Sequence, residues 1–171
     1  YEDRKWKTGF VGGDYQWLDG DGRGGRNMDA RTLLFSQATL NTPAMALEMV
    51  GVGSQYALSE RDASGAYLQG SNTYRLTLPP GIPAKDFWSL IAYDPQTRSE
   101  LQTGQPLPSR NSENNRNELT YNNDGSIDLT FGPEPPTEHR GNWIQTVPSK
   151  SWYAILGLYG PLTPWFDKTW I

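Results

Sequence analysis

Phe87-Trp88-Ser89-Leu90-Ile91-Ala92-Tyr93-Asp94 is the stretch that decides the fold. It lies between Lys85-Asp86 and the turn Asp94-Pro95, and it is apolar at odd and even positions alike. Side chains alternate across a strand, so a run that is apolar on both sides predicts a central strand covered on both faces. Residues 151–159 form a second such run near the end of the chain, with Asn142-Trp143 between the two. Residues 55–59 read as a further strand, and in 74–78 Tyr and Leu alternate with Arg75 and Thr77. Asp62-Ala63-Ser64-Gly65 and Pro79-Pro80-Gly81 mark turns. Residues 118–121 and 127–131 flank Asn122-Asn123-Asp124-Gly125, where Asp-Gly supplies the positive φ angles of a tight turn, so a hairpin is expected.

The wider composition agrees. With 18 Gly, 13 Pro, 7 Trp and 9 Tyr in 171 residues, the chain suits short strands joined by many turns. That length fits one domain with a sizeable core. Residues 28–49 have the best helical spacing, through Leu33, Leu34, Ala38, Met45 and Leu47. Pro43 breaks the pattern, which predicts two short helices instead of one long one. The expected architecture is a mostly β, jelly-roll-like β-sandwich over residues 28–171, with one or two short N-terminal helices. Residues 1–27 are expected to form an extended arm whose Trp6, Phe10, Tyr15 and Trp17 could dock on a partner subunit. The chain starts at Tyr1 without an initiating Met, so a leader or an upstream domain is expected to precede it.

Several function classes are excluded or left without support. The formal charge is −4 and no basic run stands out, which argues against a nucleic-acid partner. There is no Cys, so neither disulfides nor thiolate chemistry can operate. No apolar run approaches the roughly 20 residues of a membrane span. Gly20-Asp21-Gly22-Arg23-Gly24-Gly25 matches G-x-G-x-x-G, yet no βαβ unit follows, and a glycine loop is the better reading. An EF-hand starting at Asp19 fails because Arg23 occupies a ligand position and Ala30 stands where the bidentate Glu belongs. No cofactor and no metal site is expected.

The candidates for chemistry lie in loops. His139, the only histidine, follows Glu138 and could act as a general base. Neighbours on an extended segment point apart, which places Glu138 poorly to orient it. No Gly-x-Ser-x-Gly elbow is present for a serine triad. Glu113 and Glu118 in one loop, and Glu134 and Glu138 in another, could form a carboxylate pair for glycoside hydrolysis. Arg98, Arg110, Asn111 and Arg116 could rim an anion-binding pocket. The seven tryptophans exceed the needs of one core, so some are expected to be exposed or at an interface, where Trp and Tyr stack on sugar rings. Trp88, Tyr93 and Trp143, with Arg98, Arg110 and Asn111, are therefore the expected ligand-binding residues.

The order Tyr56…Asp62-x-x-Gly65-x-x-Leu68-x-Gly70…Tyr74-x-Leu76, then Phe87-Trp88-Ser89-Leu90…Tyr93-Asp94, Asp124-Gly125-Ser126, Asn142-Trp143-Ile144 and Leu158-Tyr159-x-Pro161 resembles a bacterial family, domain of unknown function 1214. The resemblance runs from about residue 28 to 170. It implies a jelly-roll β-sandwich behind a helical segment, placed after a domain of unknown function 1254 in a longer secreted or periplasmic protein. It brings no catalytic residues. Where members tend to read Arg-Tyr near the last strand, this chain reads Gly157-Leu158-Tyr159. The expected function is an accessory domain that binds a small-molecule or carbohydrate ligand or a partner. Two alternatives stand beside it. One is a carbohydrate or ester hydrolase using His139, Glu138 and Glu113; the other is a homo-oligomer assembly domain using the aromatic arms.

Overall fold

The structure, a computed structural model, describes residues 5–10, 13–19, 24–38 and 40–170. Residues 20–23 of the glycine tract fall outside that set. Short segments β1 (Lys7–Thr8), α1 (Met28–Phe35) and α2 (Pro43–Ala46) precede the main strands. These are β2 (Ser54–Ser59), β3 (Tyr74–Leu78), β4 (Ala84–Tyr93), β5 (Ser109–Asn111), β6 (Ile127–Gly132), β7 (Trp143–Gln145) and β8 (Tyr153–Pro161), followed by α3 (Thr163–Phe166). One sheet has the order β1-β2-β8-β4-β5 and the other β3-β6-β7. The chain passes from sheet to sheet at β2–β3, β3–β4, β5–β6 and β7–β8, which makes the molecule a jelly-roll-like β-sandwich.

Period-two alternation builds the core. On β4, Trp88, Leu90 and Ala92 point inward, opposite Leu158, Leu156 and Ala154 of β8. Ile127, Leu129 and Phe131 of β6 and Ile144 of β7 meet them from the other sheet. Leu90, Leu158, Ile127, Leu129 and Ile144 are fully enclosed. Trp152 stacks on Phe131 at 4.5 Å between ring centroids and meets Tyr74 edge-on at 5.8 Å.

Turn chemistry joins these strands. Asp62 and Asp124 each accept backbone and hydroxyl hydrogen bonds two residues on, from Ser64 and Ser126, which holds both carboxyls below the usual range. The Asn122–Ser126 turn forms, but residues 118–121 are not a strand, so the expected hairpin is absent. Asn142 is the reason. Its Oδ1 accepts from the Thr120 N–H at 2.9 Å, while its Nδ2 donates to the carbonyls of Thr120 and Asp128. This buried amide spends the backbone groups that a hairpin partner would need, and β6 pairs instead with β3 (antiparallel) and β7 (parallel). A Cβ on the adjacent Gly141 would lie 1.9 Å from the Glu118 carbonyl oxygen, so only glycine admits this close approach.

The described part of the arm folds on its own chain. Lys7 and Thr8 add an edge strand to β2, and Lys7 ion-pairs with Glu60. Phe10 stacks on Trp17 at 5.3 Å, and both are buried with Ala30 and Leu34 of α1. Asn27 caps that helix by accepting the Ala30 N–H at 2.9 Å. The helix ends at Phe35, short of Pro43, which opens α2 as its first residue. None of the seven tryptophans is exposed: Trp17, Trp88, Trp152 and Trp165 are buried, and Trp6, Trp143 and Trp170 are half-buried. The second small core and the α3 tail, where Trp165 packs, absorb the surplus.

Candidate functional site

The outer face of the five-stranded sheet is the other half of the same alternation. Phe87, Ser89, Ile91 and Tyr93 of β4 stand opposite Tyr159, Gly157, Ile155 and Tyr153 of β8. Directly paired positions bring rings together. Phe87 stacks on Tyr159 at 4.1 Å, and Tyr93 stacks on Tyr153 at 5.4 Å. Tyr56 of β2 meets Tyr159 edge-on at 6.3 Å, and the Ser54 hydroxyl donates to the Tyr56 oxygen at 2.8 Å. Gly157 lies among them. A Cβ there would sit 3.2 Å from Ser89 Oγ, from Tyr159 Cε2 and from Tyr56 Cε1.

The helical layer lies over this face without filling it. A cavity of about 570 Å³ remains, walled on the sheet side by Tyr56, Tyr93, Ile155 and Tyr159, and on the other by Phe10, Leu34, Ala38 and Met45. Its size is that of an ordinary small-molecule site, for which roughly 300–1,000 Å³ is usual. A second cavity of about 550 Å³ continues along the face toward the start of β8. Both are bordered by Gly9, Gln37 and Leu58, and the second is also bordered by Lys7, Glu60, Arg98, Trp152 and Tyr153.

Burial raises the pKa of the Tyr93, Tyr153 and Tyr159 hydroxyls. Burial, aided by the Glu100 carboxylate and by the other tyrosines, pushes the Tyr93 hydroxyl up to about 12. Burial also raises Tyr159, with Tyr56 beside it adding to the shift. It raises Tyr153 too; the Arg98 guanidinium nearby opposes that shift yet stands outside hydrogen-bond geometry. At neutral pH these groups present hydroxyls that can donate and accept, with no charge. Asp94, at the end of β4 and only 4% exposed, is held below the usual carboxylate range by Lys150 and by the backbone N–H groups of Gln96 and Thr97.

The structure divides the residues that the sequence nominates. Tyr93 and Arg98 border the outer cavities. Trp88 faces the interior. Arg110 donates from Nε to the Gly141 carbonyl at 2.5 Å and from Nη1 to the Ser109 carbonyl at 2.7 Å, binding β5 to the 140–142 turn. Asn111 Oδ1 accepts the backbone N–H groups of Glu113 and Asn114. The Trp143 indole donates to the Gly132 carbonyl at 2.9 Å. His139, Glu138 and Glu113 are exposed and border neither cavity. His139 holds a left-handed φ of 52° at the start of the 140–142 turn. Among the described residues no three His, Asp or Glu side chains gather as a metal site would need, and no helix is long and apolar enough to cross a membrane.

Sequence reasoning missed Tyr56, Tyr153, Gly157 and Tyr159. The available signal was parity: 153, 155, 157 and 159 share one face of β8, and that face carries the tyrosines.

Comparison with known proteins gives the fold a relative. The structure matches the crystal structure of the VPA0106 protein from Vibrio parahaemolyticus with a TM-score of 0.61 and 21% sequence identity, over 88% of this chain and 36% of that one. The chain thus spans about a third of that protein's length. An uncharacterised protein from Burkholderia cenocepacia aligns over 88% of this chain and 43% of its own, with a TM-score of 0.44 and 16% identity. None of the curated proteins matches the chain. The family described as protein of unknown function (DUF1214) matches residues 53–163.

Proposed function

The chain belongs to the DUF1214 family, and from that premise we propose that it is a ligand-binding accessory domain whose site is the cavity between the helical layer and the outer face of the five-stranded sheet. Its ligand is a small molecule with an apolar body and a hydrogen-bonding head group. The observation that supports this most is the cavity of about 570 Å³ left between the helical layer and Tyr56, Tyr93, Ile155 and Tyr159, with Gly157 beneath it letting the Tyr56 and Tyr159 rings lie close over the sheet. Tyr56, Ser89, Tyr93 and Tyr159 also belong to the pattern by which the sequence resembles the family, and neither Tyr56, Tyr93 nor Tyr159 belongs to the sandwich core. We further propose that the domain belongs to a longer protein, as the 36% share that it spans of the Vibrio structure suggests, and, on the family resemblance alone, that this protein is secreted or periplasmic.

Saturation-transfer NMR with p-cresol and cyclohexanol as probes tests the site. Both probes are expected to bind the native chain at millimolar concentration. Gly157→Val, which places methyl groups where the rings now converge, should abolish the signals while the circular dichroism spectrum is retained. Binding that survives in Gly157→Val, or no binding to the native chain, would overturn the reading.

A further inference from the structure

Among the described residues, the buried side-chain polar atoms without a hydrogen-bond partner are Trp152 Nε1 and the Tyr153 hydroxyl. Elsewhere the same interior satisfies its polar groups with care. Asn142 uses both ends of its amide, Gln55 Nε2 donates to the Ala44 and Leu47 carbonyls, and the Thr146 hydroxyl donates to the Gly70 carbonyl. An unmet buried polar group is costly; the Trp152 ring lies in the sandwich core against Phe131 and Tyr74, whereas Tyr153 borders the second outer cavity. The Tyr153 hydroxyl can donate to an acceptor that also faces Arg98 across this cavity.

The charges around that cavity favour an anionic acceptor. Lys7 and Glu60 neutralise each other in an ion pair. Asp94, behind Tyr153, is committed to Lys150 and to the backbone of residues 96 and 97. Arg98 borders the cavity and forms no ion pair among the described residues. Its backbone is held at φ 64° where its N–H closes the turn on the Asp94 carbonyl at 2.9 Å.

We propose that this cavity receives the carboxylate of an amphipathic organic acid, with Arg98 and Tyr153 as its donors and the adjoining tyrosine-walled cavity holding the acid's apolar body. The inference rests on the ligand-binding reading above and gives the ligand its class. A guanidinium fork matches a carboxylate in geometry as well as charge. The Lys7–Glu60 pair on the rim limits the site to a compact monoanion, since a larger polyanion would meet the Glu60 carboxylate.

Calorimetric titration of the full chain at pH 7 with 3-phenylpropanoate and octanoate, each matched with its alcohol (3-phenylpropan-1-ol and octanol), tests the class. The acids should bind about tenfold more tightly than the alcohols, the usual scale of one charge-assisted hydrogen bond. Arg98→Gly should remove most of that preference while leaving alcohol binding intact. Because φ 64° is natural for glycine, this variant should fold with an unchanged or higher Tm, so a loss of binding cannot be unfolding. Tyr153→Phe should lower the preference to a smaller extent. Acids that bind no better than alcohols, or an acid preference that survives Arg98→Gly, overturn the head-group assignment and leave the cavity reading standing. Binding of neither class overturns both.

Discussion

The two faces of the β4–β8 pair come from the same strands, in the same register, and do opposite things. Inward, Leu90, Ala92, Ala154, Leu156 and Leu158 are enclosed by the second sheet. Outward, Tyr93, Ile155 and Tyr159 are only half-covered, and a cavity of about 570 Å³ stands between them and the helices. The difference lies in the covering layer. A second sheet carries its own row of interdigitating side chains and packs to crystal-like density. The opposing layer on the outer side is an 8-residue helix, a 4-residue helix and an arm, which close over the face at a few points only. Apolar character on both sides of a strand therefore does not imply two cores; here it implies a core and a wall that its covering layer leaves half-covered.

The largest effect should separate the faces directly. Leu156→Ala empties a site in the closed interior and is expected to cost about 2–5 kcal/mol, whereas Ile155→Ala, one residue along and facing the cavity, should cost distinctly less because a void is already there. Urea denaturation of the two variants checks this; equal losses would mean that the outer layer packs like the inner one. Gly157→Val comes next. Crowding Tyr56 and Tyr159 should cost about 1–3 kcal/mol, in line with overpacking elsewhere. Alkaline pH sharpens the contrast further. Tyr93 ionises near 10.0 in the unfolded chain and at about 12 in the folded one, so its contribution is fully present below pH 10 and is lost as the pH rises to about 12. Tm should fall across that window, and less steeply in Tyr93→Phe, while Trp88 and its inner-face neighbours add nothing that titrates. The smallest effect is expected at the polar loops. Replacing Glu138 and His139 together by Ala should change stability by no more than about 1 kcal/mol, mostly through the left-handed φ of His139, and leave probe binding untouched. A large loss of binding, or of any hydrolytic activity toward esters or glycosides, would return the function to those loops.

Much of the fold was legible because burial writes itself into local sequence. The 74–78 strand matches the alternation of Tyr74, Leu76 and Leu78, β4 includes the whole 87–93 run, and Pro43 marks the break between the two helices. The hairpin at 118–131 was read from a genuine Asp-Gly turn, but nothing local shows that Asn142, distant in sequence, claims the Thr120 backbone. The candidate site was legible in part. Tyr93 and Arg98 were named from the sequence and border the outer cavities, whereas Arg110, Asn111 and Trp143 hold turns and strands together through backbone carbonyls and N–H groups. Arginine and asparagine in a loop look alike on the page whether they bind a ligand or a carbonyl.

What the sequence determined by itself was the class of structure: short, aromatic-rich strands, punctuated by Gly, Pro and Asp turns, that can bury their side chains only by closing into a sandwich. Only the tertiary structure decided which face of those strands stays open. That choice depends on how completely the 28–46 segment and the arm cover β2, β4 and β8, and on Tyr56, Gly157 and Tyr159 meeting across strands. Periodicity reports which residues avoid water; it carries no information about whether the layer that shields them also fills the space.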